Sequence, residues 1–173
     1  MIGSLNAMFP ALGRILDETP DALRTRQRAL VAAGLLDSLP GKGPGSGVAA
    51  TPRALAQFLI GACTDTGNGA LLKARPSEGR CPFTGTKTFV DALAAILADE
   101  ALARRVQEVH IAISYGYATI RYDGAPWQDG PEALAKRPPK SVVFGGAPRR
   151  SGLQFSASIP AEILLAIVKE LKQ

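Results

Sequence analysis

Apolar residues recur at helical spacing in the segment TPDALRTRQRALVAAGLL, which begins at Thr19. At about 100° per residue, Leu23, Gln27 and Leu30 fall on one side of a helix, and we predict that this side is buried. The opposite side carries polar and basic residues, namely Arg24, Thr25 and Arg28. The pattern therefore predicts a helix over residues 19–33 with a narrow buried stripe and a basic outer face.

Capping signals mark the ends of this helix and indicate another helix before it. Thr19 is a preferred N-cap residue and Pro20 suits the first helical turn, while Gly34 is typical of the position after a helix end. Upstream, the segment PALGRILD predicts a short helix that starts at Pro10. A turn of a few residues separates the two helices. Together they predict a helix-turn-helix.

Glycine and proline dominate the segment that follows. Residues 35–52, LLDSLPGKGPGSGVAATP, predict a short strand, a flexible tip and a second short strand. Lys42 and Ser46 lie in the tip, and the pair Thr51-Pro52 opens a further helix. The tip lacks the strand-loop-helix context of a phosphate-binding loop, so a basic hairpin is the better interpretation.

Residues 8–63 resemble the winged helix-turn-helix of bacterial and phage DNA-binding proteins. The shared features are Leu-Gly before the turn, Thr-Pro at the start of the second helix, the run L-x-x-x-G-L-L at its end, and a glycine-rich wing followed by a second Thr-Pro. The wing is also similar to that of prophage-encoded proteins of alpha-proteobacteria. Gln27 departs from the pattern, because this core position is usually aliphatic.

The resemblance implies binding of double-stranded DNA by the helix 19–33 and the wing 41–47. Arginine can hold a phosphate or the edge of a guanine, and a lysine at a wing tip reaches the backbone or the minor groove. The expected DNA contacts are Arg24, Thr25, Arg26 and Arg28 in the helix, Lys42 and Ser46 in the wing, and Arg53 in the next helix. The alternative is a solubilising face on a small helical domain.

The rest of the chain predicts a second unit of mixed structure. Residues 64–87 are rich in glycine, threonine and proline, which favours a linker. Thr88 caps one or two helices, residues 109–123 alternate as a β-hairpin, and two further strands are predicted at 141–146 and 152–158. With a terminal helix, this unit has the order α-β-β-β-β-α.

The terminal helix after Pro160 has apolar residues around most of its circumference. We predict that the surplus forms a contact between subunits, with Leu164 and Val168 at the interface, and that the protein is a homo-oligomer with a dimer favoured. The predicted fold class is α+β. A winged helix-turn-helix at 1–63 and a linker precede a small α+β domain at 88–173 for oligomerisation or partner binding.

Composition favours a folded protein with an anionic partner. The 173 residues are 46% hydrophobic and 20% charged, and the net charge of +5 suits a polyanion such as DNA. No apolar run reaches the roughly 18 residues of a membrane span, and the N-terminus lacks the pattern of a signal segment. We expect a cytoplasmic protein that does not bind membranes.

Reactive side chains are scarce. The single histidine, His110, alternates out of phase with its apolar neighbours and is expected at a surface. Cys63 and Cys81 lack the spacing of a metal site or a disulfide framework. We therefore predict no enzyme activity, no metal and no cofactor. Trp127 is expected to anchor a proline-rich loop, with a partner contact as the alternative, and the basic loops KRPPK and PRR are candidates for added phosphate contacts.

Three functions fit these observations. A DNA-binding transcriptional regulator of phage or prophage type is the leading interpretation. The second is a phage DNA-packaging adaptor resembling a terminase small subunit, which a ring of copies in place of a dimer would distinguish. The third is an interaction module or inhibitor that does not bind DNA, which would show no salt-dependent affinity for nucleic acid.

Overall fold

A computed structural model describes residues 3–38, 47–64, 68–113, 116–123, 140–146 and 155–172. Over these ranges the chain has a mixed α+β fold, which confirms the predicted class. The helices are α1 (Leu5–Leu16), α2 (Pro20–Ala32), α3 (Pro52–Cys63), α4 (Asn68–Leu72), α5 (Phe89–Ala98), α6 (Glu100–Arg105) and α7 (Ala161–Leu171). The strands are β1 (Val106–Ala112), β2 (Tyr117–Tyr122), β3 (Lys140–Phe144) and β4 (Ser156–Pro160). None of these helices has the length and hydropathy needed to cross a membrane.

Side-chain caps start the helices where the sequence predicts them. The Thr19 hydroxyl accepts a hydrogen bond from the Ala22 N–H at 3.2 Å, and Thr51 accepts one from Ala54 at 3.1 Å. Thr88 caps α5 in the same way. Each cap satisfies a backbone donor that has no partner within the first helical turn. Gly34, predicted to follow the second helix in the left-handed region, has a φ of 69°.

The prediction that α1 starts at Pro10 is wrong, because Pro10 lies inside the helix. The Ser4 hydroxyl caps the true start, and Leu5 and Phe9 extend the buried stripe of Leu12 by two turns. Pro10 is on the exposed side of α1. Burial of the upstream apolar residues therefore outweighs the one intrahelical hydrogen bond that an interior proline removes.

The segment between α2 and α3 differs from the predicted hairpin in its described part. Residues 35–38 contain no strand. Ala49 instead forms an antiparallel bridge with Ser4, and the Leu5 N–H donates to the Val48 carbonyl at 2.8 Å. The predicted tip, with Lys42 and Ser46, lies outside the described residues. A winged helix-turn-helix is therefore not confirmed.

The four strands form an antiparallel sheet in the order β3-β2-β1-β4. The predicted hairpin corresponds to β1 and β2, and β3 and β4 lie close to the two further predicted strands. Alternate residues face the helices, so that Val109 is paired with Ile120 on one side and Ile159 on the other. Pro160, predicted to start the terminal helix, ends β4 one residue before it.

One continuous apolar core joins the helices to the sheet across the predicted domain boundary. Helix α3 packs against α5, and α1 packs against α7. The predicted linker contributes α4 and several buried residues, namely Leu71, Ala74, Cys81 and Phe83. The division into two domains stays a prediction.

Helix α7 faces the core with the residues that were predicted to face a partner subunit. Leu164, Ile167 and Val168 are completely buried within the chain itself. Ile163 and Leu165, on the flanks of this stripe, are partly buried against the same core. The assignment of Leu164 and Val168 to a subunit interface is therefore wrong, because the sheet and the neighbouring helices already cover them.

Candidate nucleic-acid interface

A tight turn fixes α2 against α1. Helix α1 ends at Leu16 and α2 begins at Pro20, so the turn has three residues. Asp17 adopts the left-handed region with a φ of 53°, and the Glu18 N–H donates to the Gly13 carbonyl at 2.9 Å. A Cβ atom at Gly13 would lie 2.6 Å from the Glu18 carbonyl oxygen, so the turn approaches α1 as closely as only glycine permits.

The inner face of α2 is the one that the sequence predicts. Leu23 is completely buried, and Gln27 and Leu30 are each 6% exposed. Leu30 packs on α3 at Gly61, where an added Cβ would lie 2.5 Å from its Cδ2 atom. Because this face is held between α1 and α3, the opposite side of α2 is turned to solvent.

Arg24, Thr25 and Arg28 lie on that solvent side. Arg24 is half-exposed and pairs with Asp21, with Nη1 and Oδ1 2.5 Å apart. The Thr25 hydroxyl donates to the Asp21 carbonyl at 3.0 Å, which leaves its methyl group and oxygen lone pairs available. Arg28 is exposed and makes no ion pair with another described residue. The outer face thus presents two guanidinium groups, one of them without a counter-charge among the described residues.

Arg26 has a different environment from the other arginines of α2. Its Nη2 donates to Glu18 Oε1 at 2.7 Å and its Nη1 to the Ala62 carbonyl at 3.2 Å. These bonds connect the turn before α2 to the last turn of α3. The guanidinium satisfies a helix-terminal carbonyl there, so its contacts are those of a structural residue.

Arg53 lies at the opposite end of α3 from α2. Its guanidinium forms an ion pair with Asp91, on the first turn of α5. Arg53 is nine residues from Ala62 along α3, a separation of about 13 Å along the axis. Of the seven residues expected to contact DNA, the structure therefore brings Arg24, Thr25 and Arg28 together on one surface and places Arg53 elsewhere. Lys42 and Ser46 lie outside the described residues.

The remaining candidate groups are dispersed. His110 lies on the sheet face away from the helices, as its alternation predicts, with Nδ1 3.3 Å from Ser158 Oγ. Cys81 is completely buried. Burial raises the pKa of Cys63, and the charge of Arg26 opposes this shift. No group of three histidines, cysteines or carboxylates comes together among the described residues. Trp127 and the loops at 136–139 and 148–150 are outside them.

Sequence reasoning overlooked a second group of basic residues. Lys73, Arg75 and Lys87 are exposed and lie in the segment predicted to be a linker. The stretch KARPSEGRCPFTGTK that contains them has four basic residues and one acidic residue. This excess of basic residues could have indicated the group from the sequence. The glycines and prolines of the segment instead favoured its interpretation as a linker.

Comparison of the chain with models of protein families, with curated proteins and with solved structures finds no match.

Proposed function

We propose that the protein binds double-stranded DNA through the outer face of α2 and acts as a transcriptional regulator of phage or prophage type. The observation that carries the proposal is the common placement of Arg24, Thr25 and Arg28. They lie on the solvent side of a helix whose other side is buried and which follows a three-residue turn. This is the position of the recognition helix in a helix-turn-helix.

Each of these side chains has a suitable chemistry. Arg28 offers a planar fork of donors that matches the O6 and N7 atoms of guanine or two phosphate oxygens. Thr25 can place its methyl group against the C5 methyl of thymine. Arg24 must exchange Asp21 for a phosphate, which costs little because Asp21 is highly exposed and surface ion pairs are weak.

The glycine-rich tip supports the same proposal through its sequence. Lys42 and Ser46 lie in the segment that connects α2 to α3, and in a winged domain such residues contact the sugar-phosphate backbone. The net charge of +5 and the isoelectric point near 9.5 favour association with a polyanion. In this proposal α2 orients the protein in the groove of the DNA, and the wing increases the affinity for DNA.

We also propose that the protein is a homodimer, because specific recognition by one helix usually requires two half-sites at a fixed spacing. The flanks of α7, with Ile163 and Leu165 partly exposed, offer apolar surface for the contact. Light scattering measures the number of copies directly. A ring of about eight or more copies would instead indicate a packaging adaptor, and a monomer at tens of micromolar (about 10–50 µM) would contradict the dimer.

A salt titration tests the binding proposal. The affinity of the whole chain for a labelled duplex is measured by fluorescence anisotropy between about 50 and 200 mM salt. About four phosphate contacts made by residues 1–63, through α2 and the wing, contribute about −4 to the slope of log K against log salt concentration. A flat response, or no binding at low salt, would contradict DNA binding.

A further inference from the structure

Four exposed cations lie on three segments that contact one another at the start of α5. The Phe89 N–H, in the first turn of α5, donates to the Ala74 carbonyl at 2.9 Å. Lys73 and Arg75 flank Ala74 in sequence, and Lys87 precedes Phe89 by two residues, so this one bond brings three cations together. Arg53 joins them through Asp91. We name Arg53, Lys73, Arg75 and Lys87 the α5 basic cluster.

The backbone beneath the cluster is held in place by the sheet. Ala74 and Pro76 are buried whereas Lys73, Arg75 and Ser77 are exposed. Lys73 and Arg75 are therefore exposed on either side of the buried Ala74. The Gly145 N–H donates to the Arg75 carbonyl at 2.9 Å, which ties the segment to the end of β3. The backbone that carries these cations is therefore held in place by the sheet.

Most of the positive charge in the cluster is uncompensated. Lys73, Arg75 and Lys87 make no ion pair with another described residue. Asp91 faces Arg53, but its other carboxylate oxygen accepts a hydrogen bond from the Thr88 hydroxyl at 2.6 Å. Glu78 is the one acidic residue of the stretch from 73 to 87. This exposed surface therefore carries more positive charges than negative ones.

We infer that the α5 basic cluster is a second contact surface for the sugar-phosphate backbone of DNA. Lysine and arginine bind phosphate oxygens without reading sequence. The aromatic rings next to the cluster, Phe83 and Phe89, are buried and cannot stack on bases. The surface thus fits phosphate groups alone. The choice of DNA as the partner rests on the proposed function of α2.

The cluster enlarges the footprint rather than repeating the α2 contact. Arg53 lies about 13 Å along α3 from Ala62, the residue on which Arg26 of α2 docks. Lysine and arginine at this second surface would hold phosphates without reading bases. The cluster therefore contributes affinity and salt dependence, while α2 contributes the preference for a sequence.

Charge removal in the 173-residue chain tests the inference. The variant Lys73→Gln/Arg75→Gln/Lys87→Gln is compared with Arg104→Gln/Arg121→Gln/Lys169→Gln, which removes the same charge from other exposed positions. The first variant should lower the magnitude of the salt slope by about 2.7, since three phosphate contacts are lost, and leave the preference between duplexes unchanged. The second should lower it by less than about 1. The charge-retaining variant Lys73→Arg/Arg75→Lys/Lys87→Arg should keep the original slope.

The outcomes separate the cluster from α2. Equal slopes for the two charge-removal variants would overturn the inference, and so would a lower slope in the charge-retaining variant, because folding would then explain the loss. If Arg24→Ala/Arg28→Ala alone weakens binding, the cluster is refuted and the α2 proposal stands. If the cluster variant alone weakens it, the cluster stands and α2 is refuted. Binding to vesicles of anionic phospholipid in place of duplex DNA would overturn both.

Discussion

Helices α2 and α7 invite opposite interpretations from their sequences. Helix α2 has three large apolar residues, Leu23, Leu30 and Val31, and its one buried stripe leaves a basic face in solvent. Helix α7 is apolar nearly all round, which predicted a free face for a partner subunit. In the structure α7 contacts α1, α5, α6, β1 and β4, whereas α2 packs mainly on α1 and α3. The neighbours that a helix packs against, rather than the number of its apolar residues, therefore decide how much of that helix stays exposed.

The substitution Leu164→Asp tests the burial of α7 and has the largest expected effect. Leu164 is completely buried, and removal of a core leucine alone costs about 2–5 kcal/mol of stability. A buried carboxylate adds a desolvation penalty, so we expect the chain to unfold. Urea denaturation followed by circular dichroism measures the effect. Leu165→Asp, at a partly exposed neighbour, should cost much less, and a stable monomer from Leu164→Asp would contradict the burial.

The substitution Gly13→Ala tests how firmly the turn holds α2. The added methyl group would lie 2.6 Å from the backbone oxygen of Glu18, so the turn must shift. We expect a loss of about 1–3 kcal/mol in the free energy of unfolding. DNA affinity should fall as well, because α2 is displaced. Gly3→Ala is the control, since nothing lies within 4 Å of its added atom. Unchanged stability in Gly13→Ala would mean that the turn is not a close contact.

Features that depend on neighbouring residues, such as helix caps, were predicted well from the sequence. Contacts between residues far apart in the chain were not. The threonine caps of α2, α3 and α5 depend on bonds between residues three apart, which the sequence displays directly. Strand alternation is equally local, and it located β1 and β2. Ala62, one of the two partners of Arg26, lies 36 residues away, and the Asp91 partner of Arg53 lies 38 residues away. The spacing of residues in the sequence therefore could not reveal that Arg26 and Arg53 form structural bonds within the chain. The pairing of Ala49 with Ser4 could not be predicted from spacing either.

The substitution Gln27→Met tests whether the amide on the inner face of α2 lacks a hydrogen-bond partner. Gln27 as a whole residue is 6% exposed, and its amide makes no hydrogen bond to another described residue. A buried amide without partners costs about 1–3 kcal/mol, and methionine has a similar shape without that penalty. We expect a gain of about 1 kcal/mol in the free energy of unfolding and unchanged DNA binding. A loss of stability would show that the amide has a partner in the folded protein.

The substitution Glu100→Gln has the smallest expected effect on stability, and it removes an ion pair with Lys172 at the end of α7. A hydrogen bond from Lys172, then one from Arg104, holds the pKa of Glu100 at about 2 against an ordinary value of 4.5. Because the folded-state pKa is lowered, this stabilisation is complete above pH 4.5 and is lost as the pH falls towards 2. The urea midpoint of Glu100→Gln should therefore depend less on pH in that window than the midpoint of the unchanged protein. Identical profiles would show that these bonds do not persist in solution.

We propose that the outer face of α2 binds DNA, and the double variant Arg24→Ala/Arg28→Ala is the sharpest test of this proposal. The matched control Arg104→Ala/Arg121→Ala removes two exposed arginines from other surfaces. Fluorescence anisotropy with duplexes of several sequences gives the dissociation constants. We predict that the α2 variant loses about 1–3 kcal/mol of binding energy per arginine, which is an affinity at least about thirtyfold weaker in total, together with its preference between duplexes. The control should keep both. Equal, sequence-independent losses in the two variants would contradict the claim.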